Sequence, residues 1–295
     1  MRPVTLALLL AALSWLAAPA HAQEQDERRW GISPFVGLYH PSLKGLNKGL
    51  LKAPFEGSAQ FIDPETANQE GTFVLEMPVP DLQPSPMAGL EIKWRFNERN
   101  LLLFGMGTWQ SSSSISGVTV LPIQGALENI TAQRKASLSF TEFYLGWRHD
   151  LIQQPKYRIY VASTLHQMYD LDYREDLTTV FLSGDARTFR KTSVTMAQAT
   201  GAVLFQGTAG GEWFITDYLS VGLEASWGLG LRKMDLTRAE LTSDFLFTDN
   251  IIIRYPGQPG ADGLMDFKSE VGGEYEDLKL DFSGWKAALK ATIYF

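Results

Sequence analysis

The stretch that decides the fold is Asp281–Phe295, which reads DFSGWKAALKATIYF. Successive side chains of a β-strand point to opposite faces of the sheet. One set of alternate residues is mostly apolar and comprises Ser283, Trp285, Ala287, Leu289, Ala291, Ile293 and Phe295. The other set contains Lys286 and Lys290, which lipid would reject. An apolar face opposite a charged face, ending on an aromatic residue, is typical of a strand in a transmembrane β-barrel.

The first residues have the pattern of a secretory signal peptide. Arg2 precedes a short apolar run that ends at Ala18, and Ala20-His21-Ala22 is a small-x-small cleavage site. We predict a cleaved signal over residues 1–22 and a mature domain over residues 23–295. The alternative is an uncleaved anchor helix, which the shortness of the apolar run disfavours.

Composition narrows the class of protein. The chain has 295 residues, a net charge of −7 and no cysteine. The acidic balance argues against a nucleic-acid partner, because phosphates require a basic surface. The lack of cysteine excludes disulfides and thiolate metal sites. No long apolar run follows the signal, so the aromatic-rich alternating segments indicate either a soluble periplasmic β-protein or a membrane barrel.

The tryptophans favour the membrane barrel. Trp94, Trp147 and Trp213 each precede a short polar turn by about three residues, whereas Trp109 and Trp227 follow a turn by about ten. About ten residues of tilted strand cross the hydrocarbon core of a bilayer. The spacing therefore predicts two aromatic rings, one at each membrane interface. The predicted girdle comprises Trp94, Trp109, Trp147, Trp213, Trp227 and Trp285.

Eight strands are predicted between the turns. They cover residues 30–40, 86–96, 101–111, 136–149, 157–173, 202–215, 218–236 and 278–295. Short turns alternate with long connections, which cover residues 41–85, 112–135, 174–201 and 237–277. The pattern predicts an all-β, antiparallel up-and-down transmembrane β-barrel with long extracellular loops. Residues 72–77 and 245–255 are predicted to extend the sheet outside the membrane; if they crossed it, the count would reach ten.

The first long connection contains a candidate helix. Leu43, Leu46 and Leu50 recur at helical spacing with lysines between them, which predicts a short surface helix on lipid headgroups. Together with Phe55, Phe61 and Phe73, this segment could line an apolar pocket at the barrel mouth.

The parity of the tryptophans predicts which residues face the lumen. If Trp94, Trp147, Trp213, Trp227 and Trp285 face lipid, almost every charge within the strands falls on the opposite side. The predicted lumen charge network comprises Glu91, Lys93, Arg95, Glu142, Arg158, His166, Glu212, Glu224, Lys286 and Lys290. The same parity includes Arg148, Asp170, Asp172, Gln206 and Arg232. The fifth strand lacks tryptophan, and Tyr157, Tyr169 and Tyr173 are assigned to its lipid face.

The predicted lumen is narrow. An eight-stranded barrel has an interior just wide enough for side chains, and unpaired buried charges are costly. We therefore predict a structural plug of ion pairs. The alternatives are a polar conduit or gate in which the pairs exchange partners, and a buried catalytic constellation.

This layout resembles the small eight-stranded outer-membrane barrels, such as outer-membrane proteins A, X and W. The resemblance covers the mature chain and rests on the alternation, the two girdles and the terminal Phe295, without a specific family motif. The family often has glycine five residues before the final aromatic residue, where this chain has Lys290. The resemblance implies the outer membrane of a Gram-negative bacterium. It also implies roles that range from anchors to solute routes and lipid enzymes.

The sequence is consistent with three candidate functions. The first is a structural or binding scaffold whose loops face outer-membrane lipid, lipopolysaccharide, or an extracellular or envelope protein. The second is a narrow, porin-like channel or transporter for small or apolar solutes. The third is a lipid A-modifying enzyme, because His40 and Ser42 resemble the Ser–His pair of outer-membrane lipid A deacylases. Pro41 intervenes and no third carboxylate is identifiable, so we do not predict an enzyme.

A further cluster of acidic residues lies near the end of the fourth long connection, within residues 262–277. It lacks the spacing of a calcium loop. We predict neither a metal site nor a cofactor.

Overall fold

Eight antiparallel strands close into a ring. A computed structural model describes residues 29–52, 55–61, 69–75, 77–123, 126–181, 190–197, 201–236, 238–245, 251–254, 258–259, 265–266, 268–271 and 274–295. The ring strands are β1 (Trp30–Pro41), β2 (Ser85–Arg95), β3 (Asn100–Ile123), β4 (Ala126–Gln153), β5 (Tyr157–Phe181), β6 (Ala202–Phe214), β7 (Leu219–Arg232) and β8 (Gly284–Tyr294). The predicted signal peptide lies outside the described residues.

Every ring strand pairs with its neighbours in sequence, and β8 pairs with β1 to complete the ring. At the closing edge, the backbone nitrogen of Trp30 donates to the carbonyl of Phe295 at 3.1 Å, and the nitrogen of Phe295 donates to the carbonyl of Trp30 at 2.9 Å. The predicted eight-stranded, antiparallel up-and-down barrel is confirmed. Short turns connect β2 to β3, β4 to β5 and β6 to β7, as the sequence indicated.

Three strands are far longer than a membrane crossing requires. β3, β4 and β5 contain 24, 28 and 25 residues, whereas about 9–11 residues suffice to cross the hydrocarbon core. The connection predicted over 112–135 is therefore wrong as a loop, because β3 and β4 remain paired from Ser112↔Ser137 to Ile123↔Ala126. Neither face of a strand needs to be apolar outside the membrane, so the alternating pattern fades while the backbone pairing continues.

The remaining described elements lie in the long connections. Arg190–Ala197, Arg238–Phe245, Met265–Asp266 and Gln258–Pro259 extend the barrel sheet beyond β5, so the connection predicted over 174–201 also contains strand. Ile251–Arg254, Phe55–Phe61 and Gln69–Leu75 form a separate three-stranded sheet, and Met234–Leu236, Glu274–Leu280 and Lys268–Val271 form another. Strands therefore form within 72–77 and 245–255 but outside the ring. None of the described helical residues forms a helix long and apolar enough to span a bilayer.

The outside of the ring is an apolar band. Exposed side chains on this face include Val36, Leu38, Leu90, Ile92, Phe104, Met106, Phe143, Leu145, Leu165, Phe205, Leu223 and Leu289. Trp147, Trp213, Trp227 and Trp285 also point outward. Trp94 has the same parity and stacks on Trp30 with ring centroids 5.9 Å apart.

Trp109 does not belong to the girdle. It is 2% exposed, stacks on Phe140 at 5.2 Å, and donates its Nε1 hydrogen to the Tyr39 carbonyl at 3.2 Å. Counting residues from a turn gives the height of a side chain along the barrel but not the face on which it lies. In β3 the lumen-facing parity includes Leu101 and Leu103, and Trp109 shares that parity.

This position can be measured by quenching with brominated phospholipid, which suppresses emission from lipid-exposed tryptophans. Trp109→Phe removes a shielded emitter, so the quenched fraction of the total emission is expected to rise. Trp227→Phe removes a lipid-exposed emitter, so the quenched fraction is expected to fall. A fall with Trp109→Phe would place Trp109 on the lipid face after all.

An apolar cap closes the end of the barrel opposite the short turns. The cap consists of residues 43–52 and 77–82 with Phe282. Its buried Leu43, Leu46 and Leu51 join one apolar cluster with Trp109 and Phe140. The predicted helix forms as a short helical segment over residues 44–50, of which Leu46–Leu50 is π-helical. Its predicted position is wrong, because Leu46 packs into the mouth instead of lying on headgroups. The side chains of Phe55, Phe61 and Phe73 lie outside the described part of the structure.

The two cap segments are tied together by hydrogen bonds. The Asn47 side-chain oxygen accepts from the backbone nitrogen of Leu82 at 3.1 Å, and the nitrogen of Val79 donates to the Leu51 carbonyl at 2.7 Å. The nitrogen of Leu43 also donates to the Asp281 carbonyl at 2.9 Å, which joins the cap to the segment before β8.

Candidate functional site

The structure brings the predicted lumen charges together inside the ring. The buried or half-buried members are Glu91, Lys93, Arg95, Glu142, Arg148, Arg158, His166, Gln206, Glu212, Glu224, Lys286 and Lys290. Below the cap most of the charged members form three layers of ion pairs, counted from the short-turn end. Asp170, Asp172 and Arg232 are exposed instead.

A β-bulge in β5 explains the first two exceptions. Ser139 pairs with Asp172 but Thr141 pairs with Tyr169, so β5 carries an extra residue here, and Asp170 has a positive φ of 53°. A one-residue shift exchanges the two faces of a strand. Tyr173, predicted to face lipid, is consequently fully buried. Arg232 follows a comparable register shift in β7.

Glu212 is the centre of the layer nearest the short turns. Its carboxylate lies 2.8 Å from Arg148 Nη2 and 3.4 Å from Lys93 Nζ. It also accepts hydrogen bonds from the hydroxyls of Tyr294 at 2.7 Å and Ser220 at 2.6 Å. All five residues are buried. The carboxylate is thus compensated by two cations and two hydroxyls, which is what a charge removed from water requires.

The same layer extends to the short-turn rim of the barrel. Asp150 accepts from Arg148 Nε at 2.6 Å and from Arg95 Nη2 at 3.3 Å. The guanidinium of Arg158 stacks over the Phe214 ring at 4.6 Å. The network therefore links the buried Glu212 to half-buried cations near the rim.

Lys290 is the centre of the middle layer. Its ammonium group lies 2.8 Å from Glu91 and 2.7 Å from Glu224. The Tyr144 hydroxyl donates to Glu91 at 3.0 Å, and the Tyr160 hydroxyl donates to Glu224 at 2.6 Å. One lysine is therefore shared by two carboxylates, and each carboxylate has its own tyrosine.

Glu142 organises the layer beneath the cap. It lies 3.1 Å from Lys286 Nζ and 3.0 Å from His166 Nδ1, while His166 Nε2 contacts the Thr164 hydroxyl at 2.7 Å. An acid, an imidazole and a hydroxyl in this order resemble a nucleophile relay. All three groups are buried between the ion pairs and the cap, so within the described residues the relay faces no accessible substrate position.

Sequence reasoning missed several members of the network. They are Asp150 and the hydroxyl-bearing Tyr144, Tyr160 and Tyr294. Each shares the lumen parity of its strand, so the alternation that identified the charges would also have identified these residues. Residue type alone does not identify the tyrosines, because an aromatic ring is equally suited to contact with lipid.

Asp281 lies outside the membrane-spanning strands, where the chain enters β8. Its Oδ1 accepts from the backbone nitrogen of Ser283 at 2.9 Å and from the Ser283 hydroxyl at 2.6 Å, and Lys233 lies 4.0 Å away. Burial is the largest influence on its pKa and raises it, but the Ser283 hydrogen bonds and the nearby lysines together lower the pKa below its usual value. The charged side chain thus fixes the turn that carries Phe282 into the cap.

His40 and Ser42, the pair considered for a lipid-modifying enzyme, are not hydrogen-bonded to each other in the described part of the structure. The His40 ring packs 5.9 Å from Trp285, and its buried Nδ1 has no hydrogen-bond partner among the described residues. Ser42 uses its backbone nitrogen to bond the Ser283 carbonyl at 2.6 Å. Among the described side chains, no group of three potential metal ligands converges. The side chains of the acidic segment 262–277 lie outside the described residues.

The closed ring, the apolar outer band and the charged lumen define an outer-membrane-type β-barrel. No protein-family model matches the chain, and neither does any curated protein sequence.

Several solved structures are similar to the chain, among them the following three. The outer membrane protein OprG from Pseudomonas aeruginosa is 10% identical with a TM-score of 0.41, over 92% of this chain and 99% of that one. The outer membrane protease OmpT from Escherichia coli is 9% identical with a TM-score of 0.34, over 90% and 97%. A Pseudomonas aeruginosa FadL homologue is 9% identical with a TM-score of 0.22, over 90% of each chain. Likeness at this level carries no information about function, and the assignment of the fold rests on the ring itself.

Proposed function

We propose that the chain resides in the bacterial outer membrane as a closed scaffold. In this role the barrel anchors the outer ends of β3, β4 and β5 and the long connections. It presents them to lipopolysaccharide or to an extracellular or envelope protein. The observation that carries the proposal is the filled lumen, in which three layers of ion pairs lie beneath an apolar cap.

The filled lumen disfavours the alternative of a narrow channel. A solute would have to separate buried ion pairs, and separating one such pair costs about 3–5 kcal/mol when a charge is left uncompensated. It would also have to displace the cap, whose Leu43, Leu46 and Leu51 are fully buried. Both barriers lie in series along the barrel axis.

The outer ends of the long strands supply a surface suited to polar partners. Most of their described exposed positions carry small or hydrophilic side chains, namely Gln110, Ser112, Ser114, Ser116, Gln133 and Lys135, and Val118 is the apolar exception. Polar segments held on a rigid barrel are where recognition is usually found. This surface supports a binding role without identifying the partner.

The proposal predicts that the purified protein is electrically silent in a planar bilayer. No steady single-channel conductance is expected, because buried ion pairs and the apolar cap occupy the described part of the lumen. Glu142→Gln and Lys286→Met are expected to remain silent as well, because the other layers and the cap still block the lumen.

A steady conductance in the native protein that changes in either variant would contradict the scaffold proposal and establish the channel alternative. Glu98→Gln, at an exposed short turn, serves as the matched control for a change of charge away from the lumen.

A further inference from the structure

A groove opens on the lipid-facing side of the barrel, where β5, β6, β7 and β8 adjoin. Its volume is about 420 Å³, and its walls include Tyr157, Ile159, Trp213, Val221, Leu223 and Leu289. The groove exists because Gly211 has no side chain. A Cβ atom built at this glycine would meet nothing closer than the Arg158 carbonyl, 3.9 Å away.

The groove runs from the membrane interface into the hydrocarbon region. Tyr157 is the first residue of β5 and Trp213 lies one residue before the end of β6, so both rings stand at the short-turn interface. Leu223 lies four residues into β7, which corresponds to about 13 Å of strand. The described walls at this depth are apolar, and an apolar cavity does not hold water. In a membrane, the groove is therefore filled by the lipid acyl chains that surround the barrel.

The short turn at the interfacial end of the groove contains a lysine. Lys156 is exposed and directly precedes Tyr157. Its carbonyl accepts from the backbone nitrogen of Phe214 at 2.9 Å, which holds the turn beside the end of β6. An ammonium group at headgroup depth attracts a lipid phosphate.

We propose that this groove is a binding site for one phospholipid of the leaflet on the short-turn side. One acyl chain lies over Gly211 between Trp213 and Leu223, and the phosphate pairs with Lys156. The inference rests on the barrel fold and does not depend on the scaffold role.

The glycines of β6 provide a matched pair of variants. Gly211→Leu fills the groove with its own side chain, and Gly211→Ala fills it partly. Gly207 has the same outward parity on the same strand, and a Cβ built there meets nothing within 4 Å. Gly207→Leu therefore adds the same side chain to the lipid face outside the groove.

The test is native mass spectrometry of barrels extracted from membranes in mild detergent, with folding checked by heat-modifiable gel mobility. The native protein and Gly207→Leu are expected to retain one phospholipid. Gly211→Leu is expected to bind about tenfold more weakly, which is about 1.4 kcal/mol, and Gly211→Ala is expected to lie between them. Lys156→Gln is expected to reduce the preference for anionic over zwitterionic phospholipid.

Equal retention by Gly211→Leu and the native protein would overturn the proposal. So would a lipid-free native barrel that forms a dimer which Gly211→Leu dissociates, because the occupant would then be a second copy of the chain.

Discussion

Glu212→Ala is expected to lower the free energy of unfolding by about 3–5 kcal/mol, the cost of leaving buried charges without their partner. Arg148 and Lys93 would remain in the lumen without the carboxylate that both contact. The hydroxyls of Tyr294 and Ser220 would also lose their acceptor. Urea unfolding in lipid vesicles, followed by tryptophan emission and gel mobility, measures the change.

The matched control for this substitution is Glu98→Ala, which removes a carboxylate from an exposed short turn. Its effect is expected to stay within about 0.5 kcal/mol, as for most surface substitutions. If Glu212→Ala were equally mild, the layer around Glu212 would have to be hydrated, and the filled-lumen argument would fail with it.

Trp109→Ala is expected to destabilise the barrel by about 3–5 kcal/mol, the usual cost of truncating a large buried aromatic side chain. The indole packs between Tyr39 and Phe140 beneath the cap. Lipid cannot reach this position from outside, so the cavity would persist. Its hydrogen bond to the Tyr39 carbonyl would be lost as well.

Trp227→Ala is the control for the loss of an indole. Trp227 is 65% exposed on the outer face, where acyl chains can replace the contacts that the ring makes. Its effect is expected to be clearly smaller, as judged by the same urea titration. Equal effects for the two variants would mean that Trp109 is not a core residue.

The strands of the barrel could be predicted from the sequence because contact with lipid requires every second residue of a membrane-spanning strand to be apolar. In 285–294 every second residue must tolerate hydrocarbon, and the lysines on the other face identify the lumen. Applying that parity to β2, β4 and β7 places Glu91, Glu142 and Glu224 inside without knowledge of their partners. Outside the apolar band this constraint disappears, which is why alternation does not predict that the outer ends of β3 and β4 are strands.

Local departures from alternation could not be predicted in the same way. The bulge at Asp170 inserts one extra residue into β5, and nothing in the amino-acid composition indicates where it occurs. For the residues after the bulge, the lumen-facing and lipid-facing positions are exchanged. Trp109 is chemically suited to both an interface and a core, so its type does not decide between them. The cap depends on packing between residues distant in sequence, which a helical spacing of Leu43, Leu46 and Leu50 cannot reveal.

The hydrogen bonds between Trp30 and Phe295 join the first ring strand to the last, and this has a consequence for assembly kinetics. The entropy of closing a chain segment grows only logarithmically with its length, by about 0.6 kcal/mol for each doubling. The long outer strands therefore weaken ring closure very little. Contacts between residues distant in sequence nevertheless form slowly. One edge of β1 therefore stays unpaired until β8 has folded against it. During that interval the open edge is a template for pairing with a wrong strand. The late pairing of β1 with β8 thus affects the rate and fidelity of assembly more than the stability of the finished barrel.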